Sequence, residues 1–250
     1  MMKQRDSTFE SLLDRVATDM LHGASELYMQ VLEGMVSAER LPEDLPDRLL
    51  EIARDMAPLI YLSMRLRESD DWSSVASGLL DARGSDLALI AEAMLSFLPR
   101  QAQVFCHSRS GTVLSVLERI SGSIDRVFQT VSEPGGEGRE AHNILRSAGI
   151  NVWLVNDNAY TDIPVSRAIP VMGADAVTTD YFINKVGSQR IVEAALDAEV
   201  PVYVVAAREK LIDPALYQGR PRDTTLFERV PISEGVILVT PGMKDDQPRR

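Results

Sequence analysis

Residues 104–111 have the sequence VFCHSRSG, in which an apolar stretch runs directly into serines, an arginine and a glycine. A helical pattern, VLSVLERI, follows at residues 113–120. A buried strand, a short polar loop and a helix in this order are typical of an α/β sheet. The stretch therefore predicts a strand whose following loop faces a ligand.

The same alternation continues towards the end of the chain. The predicted strands are 104–108, 127–132, 152–156, 170–175, 202–207 and 236–240, and the predicted helices lie near 112–121, 139–148 and 184–198. Strands this apolar, separated by helices of crossover length, are expected in a parallel sheet that is covered on both faces. The pattern favours a Rossmann-like α/β domain.

The first hundred residues carry apolar side chains at spacings of three and four, which predicts helices. Ser7 and Glu10 form a candidate capping box for the first helix. Pro58 is expected to interrupt the second helix, and Ser85 is a candidate N-cap for the third.

Length and composition fit a soluble globular protein, since 45% of the 250 residues are hydrophobic and 25% are charged. The hydrophobic period changes after Pro99. We therefore predict an α/β protein with a small all-helical N-terminal domain, residues 1–100, followed by a Rossmann-like parallel sheet domain, residues 101–250.

The charge balance argues against a nucleic-acid partner. The chain has 26 Lys and Arg against 37 Asp and Glu, a net charge of −11, and binding to a phosphate backbone needs clustered basic residues. One cysteine leaves no internal disulfide and fits a reducing compartment. The polar start MMKQRD and the lack of a long apolar run predict a cytoplasmic protein without a membrane partner.

Candidate functional residues are those that close the predicted strands, because ligands of open α/β sheets bind beyond the carboxyl ends of the strands. Cys106 is either a small core residue or a reactive thiol. Asp175 has apolar neighbours that would raise its pKa and suit it to proton transfer, or it caps the next segment. The segment 108–111 suits an anion, or Ser110 only caps a helix. Lys185, expected in the first turn of a helix, is either solvent-exposed or paired with an anion.

Other chemistries have weaker support. The three histidines are scattered and show no metal-ligand spacing, so no metal is expected. The sequence GGEG at 135–138 does not match the dinucleotide fingerprint, so no redox cofactor is expected. A thiol hydrolase would need a histidine other than His107 near Cys106, because neighbouring strand residues point to opposite faces.

Four motifs in a shared order carry a family resemblance. They are CHSRSG at 106–111, MGADAV at 172–177, INKVGS at 183–188 and PVYVVAA at 201–207. Together they resemble the alpha, beta and delta subunits of translation initiation factor 2B and the related ribose-1,5-bisphosphate and methylthioribose-1-phosphate isomerases. The resemblance extends from about residue 20 to residue 241.

The resemblance implies an enzyme in which Cys106 and Asp175 are the catalytic pair. It implies that a sugar phosphate is bound by Gly23, Ser108, Arg109, Ser110, Gly111, Asp157, Asn184 and Lys185. It further implies that the chain forms at least a homodimer. The leading hypothesis is an aldose–ketose isomerase acting on a phosphorylated pentose or related sugar. The alternative is a non-catalytic regulatory or assembly subunit that binds a sugar phosphate or nucleotide.

Three positions depart from the pattern of the isomerases. Where the family has phosphate-binding arginines, this chain has His22, Ala57 and Glu133. Each charge-assisted contact to phosphate contributes roughly 1.5–3 kcal/mol, so the loss of three would weaken binding of a doubly phosphorylated ligand. A sugar with one phosphate is therefore favoured over a bisphosphate.

Overall fold

The structure, a computed structural model, describes residues 6–19, 22–52, 56–162, 168–217 and 225–242. Five helices come first: α1 (Asp6–Thr18), α2 (Ala24–Ser37), α3 (Leu45–Ile52), α4 (Ala57–Arg67) and α5 (Trp72–Phe97). Strands and helices then alternate, as β1 (Ala102–Cys106), α6 (Gly111–Arg119), β2 (Ile124–Thr130), α7 (Gly138–Ser147), β3 (Val152–Val155), α8 (Ala159–Asp162) and β4 (Ile169–Met172). The remaining elements are β5 (Ala176–Val177), β6 (Tyr181–Lys185), α9 (Ser188–Asp197), β7 (Val202–Val205), β8 (Phe227–Pro231) and β9 (Val236–Val239).

The boundaries of the N-terminal helices differ from the predicted ones. Ser7 lies within α1 rather than before it. Pro58 does not break a helix but occupies the first turn of α4, where a missing N–H is harmless. Ser85 lies in the middle of α5, whose N-cap is Asp71, which accepts a hydrogen bond from the Ser74 amide. A buried stripe along the whole of α5 overrides the weak local signal at Ser85.

Six strands form one parallel sheet in the order β3-β2-β1-β4-β7-β9. Each corresponds to one of the six predicted strands, and the predicted Rossmann-like sheet preceded by helices is confirmed. The chain first builds outward from β1 to β3, then returns to the other side of β1 with β4. This reversal creates a crevice at the carboxyl ends of β1 and β4, the usual ligand site of such sheets.

A second, antiparallel sheet of β5, β6 and β8 was not predicted. The expected helix at 184–198 begins only at Ser188, and Lys185 is the last residue of β6 rather than part of a helical turn. The aromatic and branched residues of β6 favour a strand, and they pair with β8. Gly187, with φ of 104°, then turns the chain into α9.

Buried apolar residues fall into three clusters. One joins the N-terminal helices to the small sheet and contains Leu59, Ala176 and Ile183. The other two cover the opposite faces of the parallel sheet. Helix α5 takes part in two clusters, because Ala76 belongs to the first and Ile90 to a cluster on the parallel sheet. Within the described residues, no helix is long and apolar enough to cross a bilayer.

A pair of leucine substitutions tests the apolar cluster between helices α5 and α6 and the parallel sheet. Leu117 in α6 is fully buried, whereas Leu95 in α5 is 47% exposed. We expect Leu117→Ala to lower the free energy of unfolding by about 2–5 kcal/mol, because it removes buried methyl groups and leaves a cavity. Leu95→Ala, the matched control, should change it by less than about 0.5 kcal/mol. Equal effects in urea unfolding experiments would contradict this assignment of the core.

Candidate functional site

Cys106 closes β1 at the edge of the crevice. Its side chain is 2% exposed and lies in an apolar cluster that includes Val113 and Val171. Burial raises the pKa of the thiol to about 12. Cys106 is therefore a protonated thiol at neutral pH and is not poised as a thiolate nucleophile.

His107 is a structural link between the two sheets. Its Nε2 donates a hydrogen bond to the Val186 carbonyl oxygen at 2.8 Å, so its Nδ1 is left to accept from the Thr130 hydroxyl, also at 2.8 Å. Burial lowers the pKa of the ring, which keeps it neutral. Both ring nitrogens are engaged, so His107 does not serve as a base for Cys106.

Ser108, Glu137 and Lys185 form a polar cluster beside His107. The Ser108 hydroxyl donates to a Glu137 oxygen at 2.9 Å, and the Lys185 ammonium lies 3.0 Å from both oxygens of the same carboxylate. Lys185 is 3% exposed, so this ion pair compensates a buried charge. Ser108 has a φ of 68°, a conformation uncommon outside glycine and one that is often found at functional sites.

Arg109 connects the loop after β1 to the helical start of the chain. Its guanidinium donates to Glu26 of α2 at 2.7 Å and lies 3.2 Å from a carboxylate oxygen of Glu140 of α7. Two carboxylates thus neutralise the arginine that the sequence predicts as a phosphate ligand. An anionic ligand would have to compete with them.

The first turns of α2 and α6 lie close to this arginine. Ser110 caps α6 by accepting from the Val113 amide, and Gly111 is the first residue of that helix. The hydroxyls of Ser25 in α2 and Thr112 in α6 are buried and have no hydrogen-bond partner among the described residues. Free hydroxyls at helix N-termini suit an anion, since the backbone N–H groups there also point outward.

Asp175 lies three residues beyond β4. Its amide donates to the Ile183 carbonyl oxygen at 2.8 Å, and its carboxylate accepts a hydrogen bond from the Ala24 amide at the start of α2. Burial raises the pKa of Asp175, whereas Lys210 and the Ala24 hydrogen bond oppose that rise. The amide of Ala24, which directly follows the predicted ligand Gly23, therefore donates to the predicted catalytic carboxylate.

Lys210 is a buried lysine that follows β7. It is 2% exposed, and burial lowers its pKa while Asp175 and Glu209 favour its charged form. Glu209 in turn forms an ion pair with Arg83 of α5. Lys210 therefore supplies the positive charge that faces Asp175.

The loops after β1 and β4 touch each other at the crevice. An added Cβ at Gly173 would lie 2.1 Å from the Ser110 oxygen, so only glycine fits there. This contact brings Ser110 next to Gly173, which precedes Asp175 by two residues in the chain. The structure thus groups Gly23, Ser108, Arg109, Ser110, Gly111, Asn184 and Lys185 on the elements around β1, β4 and β6.

Asp157 and Asn184 already have internal partners. The Asp157 carboxylate accepts from the amides of Ser132 and Glu133 at 2.6 and 2.7 Å, and it holds the loop after β2. The Asn184 amide donates to the Ser188 hydroxyl at 2.9 Å. Both side chains shape the loops around the crevice, and their roles as substrate ligands stay predictions.

The three positions without the expected arginine provide no replacement cation at the site. His22 pairs with Asp19, and this hydrogen bond raises its pKa. Ala57 is buried in the helical core, and Glu133 is exposed beside Arg139. Across the described ranges, no group of three or more His, Cys, Asp or Glu side chains could hold a metal ion.

Sequence reasoning missed Glu137 and the pairing partner of Asp175. Glu137 lies in the glycine-rich segment 135–138, whose local sequence gives no indication of a contact with Lys185. Lys210 offered a usable signal, since it follows a predicted strand, but the carboxylate of Asp175 that favours its charged form lies far from it in the chain. Such long-range compensation is invisible in the local pattern.

Histidine titration by NMR tests the electrostatics of the site. We expect the pKa of His107 to lie below the ordinary 6.5 because of burial, and that of His22 to lie above it because of Asp19. As the pH falls below 6.5, the unfolded chain would bind a proton that folded His107 refuses, so His107 lowers stability in acid. A His22→Gln variant assigns the resonances. A pKa of His107 at or above 6.5 would contradict the buried, neutral ring.

Comparisons with known proteins identify relatives of two kinds. Ribose 1,5-bisphosphate isomerase of Archaeoglobus fulgidus is 34% identical over 117 residues, which cover 46% of this chain and 37% of that protein. A putative translation initiation factor eIF-2B subunit 2-like protein of Pyrococcus abyssi is 26% identical over 214 residues, 80% of this chain and 78% of that protein. The match thus spans little more than a third of the isomerase.

Solved structures share the fold. Translation initiation factor eIF-2B of Pyrococcus horikoshii OT3 superposes with a TM-score of 0.76 at 24% identity, over 93% of this chain and 94% of that one. The 5-methylthioribose 1-phosphate isomerase of the same organism superposes with a TM-score of 0.63 at 15% identity, over 90% of this chain and 80% of that one. The family model described as the initiation factor 2 subunit family matches residues 71–218. Because that match covers more than half of the sequence, the chain belongs to the initiation factor 2 subunit family.

Proposed function

We propose that the chain is an aldose–ketose isomerase acting on a phosphorylated pentose or related sugar. The observation that carries the proposal is the placement of Cys106 and Asp175 at the carboxyl ends of the neighbouring strands β1 and β4, where the strand order reverses. Ligands of open α/β sheets bind at such a reversal. The A. fulgidus relative, named as an isomerase of a ribose bisphosphate, supports the same class of substrate.

The reaction moves hydrogen between C2 and C1 of the sugar, and it needs one group that gives a proton and one that takes a proton. Cys106 is the donor in this proposal, because its raised pKa keeps the thiol protonated. Asp175 is the acceptor, because Lys210 and the Ala24 amide stabilise its ionised form. The two groups differ in environment, which is how one site assigns acid and base roles.

We propose that the phosphate of the substrate binds at the first turns of α2 and α6. Gly23, Ser110 and Gly111 belong to these helix starts, and the hydroxyls of Ser25 and Thr112 are free to donate there. A phosphate in this position gains from the helix dipoles and from backbone N–H groups. Ser108, Asn184 and Lys185 would then face the sugar hydroxyls. We further propose, from the family resemblance, that the chain works as at least a homodimer in the cytoplasm.

The second candidate is a regulatory or assembly subunit that binds a ligand without turnover. Two observations favour it. The Cys106 side chain is 2% exposed among apolar neighbours, and Arg109 is already neutralised by Glu26 and Glu140. The P. abyssi relative, named as a subunit-like initiation factor, is matched over most of its length.

Turnover separates the two candidates. We expect wild-type protein incubated with pentose 1-phosphates to form a ketose, followed by NMR. Cys106→Ser and Asp175→Asn should each reduce kcat by about 100-fold or more, because each removes one proton-transfer group. Asp180→Asn makes the same chemical change at an exposed residue and serves as the control. Ligand stabilisation in a thermal shift assay without any conversion selects the regulatory subunit instead.

The pH profile tests the partnership of Asp175 and Lys210. Lys210 lowers the pKa of Asp175, so Lys210→Met should raise that pKa. Because activity requires the ionised carboxylate, the acidic limb of kcat/KM should move to higher pH. Lys210→Arg keeps the positive charge and should leave the limb closer to that of the wild type. An acidic limb that stays in place, or moves to lower pH, in Lys210→Met would contradict the assignment of Asp175 as the base.

A further inference from the structure

Glu137 contacts two donor groups at the candidate site. Its carboxylate accepts from the Ser108 hydroxyl at 2.9 Å and contacts the Lys185 ammonium at 3.0 Å. A hydroxyl and an ammonium are two donors that a phosphate uses. In this structure both of them are directed at a carboxylate of the protein itself.

The loop after β2 fixes Glu137 in this position. An added Cβ at Gly138 would lie 1.8 Å from the Thr130 carbonyl oxygen, so the chain passes too close to β2 for any other residue. An added Cβ at Gly135 would lie 3.1 Å from the Lys185 ammonium and 2.5 Å from a Glu137 oxygen. Two glycines therefore let the backbone wrap closely around the ion pair.

Glu137 is also not used as an ordinary helix cap. It directly precedes α7, yet its side chain makes no capping hydrogen bond to that helix. Its charge instead reaches the site, because Glu137 is one of the groups that raise the pKa of Asp175. The carboxylate thus acts on both the lysine and the proposed base.

We propose that Glu137 is a specificity-determining residue, which occupies the anion position on Lys185 and Ser108 and makes the site reject a second phosphate. The proposal rests on the proposed function, since it names the substrate class of the same site. A sugar with one phosphate, and with a hydroxyl directed at the Ser108 and Lys185 end, fits this arrangement. A second phosphate there would meet a fixed negative charge only one hydrogen bond away, and like charges at that range repel strongly when partly buried.

Binding measurements test the proposal without requiring turnover. Isothermal titration of the wild-type protein should show that ribose 1,5-bisphosphate binds no tighter than ribose 1-phosphate. Glu137→Gln keeps the shape and removes the charge, so it should bind ribose 1,5-bisphosphate and inorganic phosphate about tenfold or more tightly than the wild type. Glu118→Gln, the control, removes an exposed carboxylate near the C-terminal end of α6 and should change these affinities much less.

The double variant Glu137→Gln/Lys185→Met identifies the cation that the new phosphate uses. It should lose the affinity gained in Glu137→Gln, because the phosphate would no longer have the Lys185 ammonium as a partner. A merely structural role of Glu137 predicts a lower unfolding temperature with no gain in phosphate binding, and that result would overturn the proposal. Tight binding of ribose 1,5-bisphosphate by the wild type would overturn it as well, whether or not any variant folds.

These binding measurements test the role of Glu137 whether or not the chain is an isomerase. A gain in phosphate affinity in Glu137→Gln supports the specificity role even where no ketose forms with any substrate. If ketose does form, the acidic limb of the Glu137→Gln profile should move to lower pH, because the charge that raises the pKa of Asp175 has been removed. An unchanged limb together with unchanged phosphate binding counts against the proposal.

Discussion

The reversal of strand order between β1 and β4 positions the whole candidate site. Parallel strands need crossover connections. Where a sheet grows in both directions from one central strand, the chain leaves the two neighbouring strands towards opposite faces, and a crevice forms between their loops at the carboxyl edge. Here those loops carry Cys106 and Ser108 on one side and Asp175 on the other. The close contact between Ser110 and Gly173 holds the two loops together. The reversal of strand order therefore determines which side chains lie at the site.

Charge compensation is the second constraint, and it is set by burial. Lys185 and Lys210 are both almost completely buried, and removing an ammonium from water costs several kcal/mol unless an anion is close. Glu137 meets this need for Lys185, while Asp175 and Glu209 meet it for Lys210. A ligand that enters must therefore exchange one set of partners for another, and its charge decides whether that exchange is favourable. Specificity in such a site depends on the anions of the protein as much as on its cations.

The sequence was informative about the parallel sheet and less so about what surrounds it. Six apolar runs were enough to place all six parallel strands, because apolar runs separated by helices are typical of a parallel sheet, although the edge strand β3 is partly exposed. The short strand β6 was not predicted and its last two residues were included in a helix, because its pairing partner β8 comes after α9 and β7 in the sequence. The resemblance singled out Cys106 and Asp175, and both do lie at strand ends. The partners Glu137 and Lys210 come from packing, which no local pattern encodes.

The burial of Cys106 bears on the choice between the proposed isomerase and the proposed regulatory subunit. A thiol held among Val113 and Val171 contributes to the core whether or not it reacts, so packing alone would retain it. Asp175 has no such reason to persist, because a partly buried carboxylate is costly without Lys210 and the Ala24 amide beside it. Keeping both the acid and its buried cation is costly for a protein that only binds a ligand, and it is expected of one that moves a proton. The pair of Asp175 and Lys210 therefore supports the proposed isomerase better than the cysteine does.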